Sequence, residues 1–119
     1  MKLLIQITHG PEDPTRATLA FLLAKTAKEN GHEVTIFLVG DAAYLIKDEV
    51  IASVSGVGTG TLKEHFENVR NAGIPIFVSR LSSRGRGVGP ADLRGKSATF
   101  ALPSKLVELA TQSDTVLTY

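Results

Sequence analysis

The chain has 119 residues, 43% of them hydrophobic, which provides for one compact core and leaves no length for a second domain. It contains no cysteine, so disulfides, a thiolate nucleophile and a zinc site built on sulfur are excluded. Lysine and arginine outnumber aspartate and glutamate by 13 to 12, which gives no electrostatic case for binding nucleic acid or membrane, and any anion site must come from local clustering.

Leu3 to Thr8 is a nearly continuous apolar run, the pattern of a strand buried on both faces of a parallel sheet. The run is short and passes into polar Thr8-His9-Gly10 without a cleavage pattern, so we expect a strand rather than a signal peptide, and a cytoplasmic protein. Asp13-Pro14 marks a helix start, with the helix running to Asn30 and Gly31 closing it. Its middle, Ala17 to Ala24, is apolar over more than one stripe, which suggests a subunit contact besides the sheet contact. Glu33 to Val39 reads as a second strand, ending at Gly40-Asp41, where the aspartate can cap a short helix over Ala42 to Ile46.

The stretch Ser53 to Gly60 is glycine-rich and reads as a mobile loop; it lacks the spacing of a dinucleotide-binding turn and no clear strand precedes it. Thr61 with Glu64 forms a capping box for a helix whose Leu62, Phe66 and Val69 share a face and which Gly73 terminates. Ile74 to Ser79 is the third strand, and Arg80 to Gly95 a long arginine- and glycine-bearing loop with room for one helical turn. Ser97 to Leu102 is a fourth strand, Pro103 opens a last helix with Leu106, Leu109 and Ala110 inward, and Thr115 to Thr118 is a fifth strand. Strands alternating with helices imply right-handed crossovers and a parallel sheet covered on both faces. Ligands of such sheets bind where loops leave the carboxyl ends of the strands, here at His9-Gly10, Gly40-Asp41 and Ser79 to Arg86.

The segments ITHGPEDPTRATLAFLLA, GHEVTIFLVGDAAYL, VSRLSSRG and SDTVLTY, in this order and spacing, resemble the DsrE/DsrF family, which includes the YchN-like proteins. The resemblance implies a three-layer α/β/α fold of the DsrEFH kind with a five-stranded parallel sheet, assembly as homotrimers or homohexamers, and a place near intracellular sulfur transfer. It also implies a cysteine after the third strand that holds sulfur as a persulfide. Here that stretch reads Val78-Ser79-Arg80-Leu81-Ser82-Ser83-Arg84-Gly85, with Ser79 and Ser82 at the two cysteine positions. A serine hydroxyl stays protonated near neutral pH and cannot form a persulfide, so the transfer chemistry does not carry over even where shape and partners do.

The candidate ligand-binding residues are therefore His9, Gly10, Asp41, Ser79, Arg80, Ser82, Arg84 and Arg86, with Ser83 as a further hydroxyl donor, arranged for a small anion. Each has a plain structural reading as well: a polar loop with solvated arginines, a loop histidine bonded to local backbone, and an aspartate that caps a helix. Glu12 and Asp13 share that ambiguity. His32 and His65 read as surface residues, and Lys47-Asp48-Glu49 and Lys63-Glu64 as solvated charges. The histidines lack ligand spacing, so no metal is expected, and no cofactor is implied. The leading expectation is a non-catalytic oligomeric binding or accessory protein. One alternative is a structural partner of a cysteine-bearing DsrE-like subunit; another is an enzyme using His9, Asp41 and Ser79 without sulfur chemistry. No nucleophile-elbow motif supports a serine hydrolase.

Overall fold

A computed structural model describes all 119 residues, Met1 to Tyr119. Five strands form one parallel sheet: β1 (Lys2–Ile7), β2 (Glu33–Leu38), β5 (Ile76–Ser79), β6 (Ala98–Ala101) and β7 (Thr115–Thr118), in the order β6-β5-β2-β1-β7. The central pair is aligned from Lys2 opposite Glu33 to Ile7 opposite Leu38, and β1 also pairs with β7 from Leu3 opposite Thr115. A separate two-stranded hairpin joins β3 (Ser55–Gly56) to β4 (Gly60–Thr61). The α-helices are α1 (Pro14–Glu29), α2 (Asp48–Ser53), α3 (Leu62–Asn71), α4 (Arg80–Arg84) and α5 (Pro103–Gln112), with 3-10 turns at Gly40–Ile46 and Pro90–Leu93.

The period-two alternation of a strand divides its side chains between two cores. Ile5 and Ile7, Val34, Ile36 and Leu38, and Ile76 and Val78 face one side, where α1, α2, α3 and the first 3-10 turn cover them. Phe21 of α1 and Phe66 of α3 meet there at 5.6 Å between ring centroids. Leu4, Phe37 and Ala101 face the other side, against Leu106, Leu109 and Ala110 of α5. That second layer is thin: no residue of α5 is fully buried. No helix is long and apolar enough to cross a membrane.

The expected caps form in part. The Asp13 carboxylate accepts the Arg16 amide, and Thr61 Oγ1 accepts the amide of Glu64, but only this half of the capping box is made. Asp41 does not cap the turn that begins at Gly40; no side chain does, and its carboxylate is bonded elsewhere. The single helix expected after β2 is a 3-10 turn followed by α2, and the Arg80 to Gly95 segment contains α4 and a second 3-10 turn.

The glycine-rich segment is not a free loop. Its hairpin packs on α1 through a Thr18–Thr59 hydroxyl bond of 2.6 Å and a bond of 3.0 Å from the Val57 amide to Thr15 Oγ1. The hairpin also covers His65, which is buried rather than exposed and bonds the Thr59 carbonyl through Nε2. Expected at the surface from its place beside Glu64, His65 is covered because Gly60 lets the hairpin backbone lie close over the ring, where a Cβ would stand 2.9 Å from Nε2. His32 is half-buried with Nδ1 3.2 Å from the amino terminus.

Lys47 is not the solvated charge expected, and Lys96, for which the sequence offered no reading, is buried near it. Lys96, 7% exposed, donates to the Ile46 carbonyl at 2.7 Å and the Asp92 carbonyl at 2.8 Å, and pairs with Asp48 at 2.6 Å. Lys47 reaches the Gly87 carbonyl and the Asp92 carboxylate, so the two lysines fasten the segment before β6 to the turn after β2. Gly10 fixes the adjoining loop by close approach: a Cβ built on it would stand 2.1 Å from the Asp41 carbonyl oxygen.

These contacts give two tests. The Gly89 amide, and then the hydrogen bond and charge of Lys47 and the charge of Lys96, hold the Asp92 carboxyl below its ordinary value of 3.8, against burial acting the other way. A carboxyl made more acidic by folding stabilises fully above that ordinary value, and its contribution disappears as pH falls through the folded one. Asp92→Asn should therefore lose stability at neutral pH and show a shallower loss on acidification, read from urea midpoints across the acid range. Gly10→Ala should cost about 1–3 kcal/mol, because backbone rather than a pliable side chain stands in the way; a urea midpoint equal to that of the parent would refute the close approach.

Candidate functional site

The carboxyl ends of β1, β2 and β5 meet in a connected network. Ser79, the last residue of β5, is 8% exposed and caps α4, its Oγ accepting the Ser82 amide at 3.1 Å. Ser82 Oγ in turn accepts the Gly40 amide at 2.8 Å, which joins α4 to the turn after β2. Each hydroxyl spends a lone pair on backbone and keeps its own hydrogen to donate.

Arg86 closes the network. Its Nε and Nη2 both donate to Asp41 Oδ1, at 3.0 and 2.9 Å, and Nη1 donates to the Ser82 carbonyl at 3.2 Å. The guanidinium lies 5.8 Å from the Tyr44 ring centroid. Gly10 abuts the same Asp41 backbone, so Gly10, Asp41, Ser79, Ser82 and Arg86 share one place. Tyr44 had no signal in the sequence beyond its nearness to Asp41.

His9 belongs to a different, exposed cluster. Nδ1 lies 3.0 Å from Glu12 Oε2 and Nε2 3.0 Å from Arg16 Nη1. Arginine can only donate, so Nε2 is the acceptor and Nδ1 carries the hydrogen given to Glu12. Glu12 also accepts the Gly10 amide, and Asp13 both caps α1 and lies 3.6 Å from Arg16. His9, Asp41 and Ser79 make no hydrogen bond to one another, each being engaged by other groups. The nucleophile–base–acid contacts of a hydrolytic triad are thus not formed.

Arg80 and Arg84 do not join the Asp41 network. They lie with Ser83 on the wall of a separate cleft of about 210 Å³, completed by Val88, Pro90 and Phe100. The Arg80 guanidinium carbon is 5.7 Å from the Phe100 ring centroid. The part of Phe100 was not legible beforehand, since it comes from a strand reached only after a loop and a 3-10 turn.

Comparison with known proteins places this geometry. The model of the DsrE/DsrF-like family matches residues 1–119. A Methanocaldococcus jannaschii protein, uncharacterized protein MJ0989, is 30% identical over 122 residues, covering 100% of both chains. Among solved structures, the ychN protein of Escherichia coli superposes with a TM-score of 0.81 at 17% identity, covering 100% of this chain and 99% of that one. BT1422 from Bacteroides thetaiotaomicron, a conserved protein of unknown function, gives 0.73 at 17% identity, covering 99% and 94%. At such identities the two structures speak for the fold, which is the five-stranded parallel α/β arrangement expected from the sequence. With its whole length matched by the family model, the chain belongs to the DsrE/DsrF-like family.

Proposed function

We propose that this chain is an oligomeric, cytoplasmic accessory protein of the DsrE type that does not carry sulfur, and that its carboxyl-edge loops receive a small anionic ligand. The observation that carries the reading is the use made of the two hydroxyls: Ser79 caps α4 and Ser82 holds the Gly40 amide. Oxygen at these positions serves the backbone, and neither hydroxyl has a base bonded to it that could make it a nucleophile. The free hydroxyl hydrogens, with Arg86 beside them, suit an oxyanion, which would have to share Arg86 with Asp41.

The thin second layer supports the oligomer. Val107 is 62% exposed, Leu102 53% and Val116 43%, all on α5 or on strands and connections near it. Full burial of such a side chain is worth about 1.5–3 kcal/mol, so a second copy laid on this face gains what the chain alone leaves in water.

Two measurements test the reading. After incubation with inorganic polysulfide, intact-mass analysis should show the parent chain unchanged, whereas Ser79→Cys should gain the mass of one sulfur atom, since a thiolate at a helix start is the reactive form. Sulfur retained by the cysteine-free parent would overturn the proposal. Native mass spectrometry should give a homotrimer or homohexamer that Val107→Glu breaks apart. A monomer at every concentration would remove the oligomer, and purification from the native host bound to a cysteine-bearing relative would favour the structural-partner alternative instead.

A further inference from the structure

The cleft beside α4 has features that the carboxyl-edge network does not use. Arg80, Ser83 and Arg84 are spaced as one helical face, while Ser82 projects about 200° around the helix from Arg80, toward Gly40. The cleft is therefore a second place, and nothing proposed for Ser79 or Ser82 bears on it.

Three observations converge there. First, Ser83 is 1% exposed and its hydroxyl has no hydrogen-bond partner. A helical serine ordinarily turns back to a carbonyl of the preceding turn; this one does not, although an unsatisfied buried hydroxyl is costly. Second, Arg80 and Arg84 have no acidic partner, as is also true of Arg70 and Arg94, but Arg80 and Arg84 line the same cleft and bring two uncompensated guanidinium groups to one place. Third, Val88, Pro90 and Phe100 make the remaining walls apolar, with Arg80 held over the Phe100 ring.

An acceptor oxygen bearing negative charge answers the first two, and a flat apolar body answers the third. We propose that this cleft binds a compact aromatic carboxylate, its carboxylate between the Arg80 and Arg84 guanidinium groups and within reach of the Ser83 hydroxyl, its ring against Phe100, Val88 and Pro90. The size fits: an apolar cavity of about 150 Å³ accepts benzene, and this cleft of about 210 Å³ leaves room for a carboxylate on the ring. Inorganic phosphate would meet the charges but leave the apolar walls in water. A neutral aromatic alcohol would do the reverse.

The test is an amide and side-chain chemical-shift titration of the full chain with benzoate, benzyl alcohol and inorganic phosphate at fixed ionic strength. Benzoate should give saturable shifts centred on Arg80, Ser83, Arg84, Val88 and Phe100, with benzyl alcohol and phosphate each at least about tenfold weaker, the loss expected when a charge-assisted bond or the apolar contact is missing. Arg84→Gln, at an exposed position that leaves the core intact, should weaken benzoate by about tenfold. Ser83→Ala should weaken it severalfold without lowering the urea midpoint, a split that a merely structural serine would not produce. Equal response to benzoate and benzyl alcohol, equal response to benzoate and phosphate, or shifts scattered over the surface arginines would each overturn the proposal. These results are separable from the polysulfide and native-mass outcomes, which involve other residues.

Discussion

Parallel strands cannot be joined by a tight turn, so every connection has to leave the carboxyl end of one strand and cross a face of the sheet to reach the amino end of the next. The order β6-β5-β2-β1-β7 makes the first three crossovers step in one direction and sends the fourth back across the whole sheet. With right-handed crossovers, steps in one direction put their covering elements on one face and the return puts its helix on the other. That is the arrangement found: α1, α2, α3 and the Val88 to Leu93 segment share the larger core, and α5 alone serves the smaller. The same constraint collects the ends of β1, β2 and β5 at one edge, which is why Gly10, Asp41 and Ser82 become neighbours despite their separation in the chain.

Within that frame, Ser79 and Ser82 hold the backbone in place. A hydroxyl accepts a backbone amide more strongly than a thiol does, and both serines are used in this way, one to start α4 and one to hold the Gly40 turn. Both side chains are built into the scaffold's own hydrogen bonding. Asp41 shows the converse: a residue whose local position suits capping is drawn off by Arg86, because a two-pronged charge-assisted contact outcompetes a cap on a tight turn.

The strands and the longer helices were legible because their signals are local: apolar runs, Asp13-Pro14 at one helix start, Pro103 at another, and Thr61 placed to receive the Glu64 amide. What escaped was set by partners far along the chain. Lys96 is buried with partners that include the Ile46 carbonyl and the Asp48 carboxylate, both about 50 residues back, and His65 lies under the hairpin that bends back over it. The candidate site divided for a related reason. One list of loop residues became three places: His9 pairs with Glu12 and Arg16, and α4 parts the rest, since a helix sends Ser82 and Arg80 in opposite directions where an extended loop need not.

The position of β1 between β2 and β7 has a kinetic side. Its second ladder pairs Leu3 with Thr115, so completing the middle of the sheet means closing nearly the full length of the chain. Local crossovers can assemble β1, β2 and β5 early, but until β7 arrives one flank of β1 stands with bare amides and carbonyls on a strand that carries Leu3, Leu4, Ile5 and Ile7. Productive folding is then a race between late strand insertion and pairing with another molecule's open edge, and chain concentration during refolding decides which of them wins.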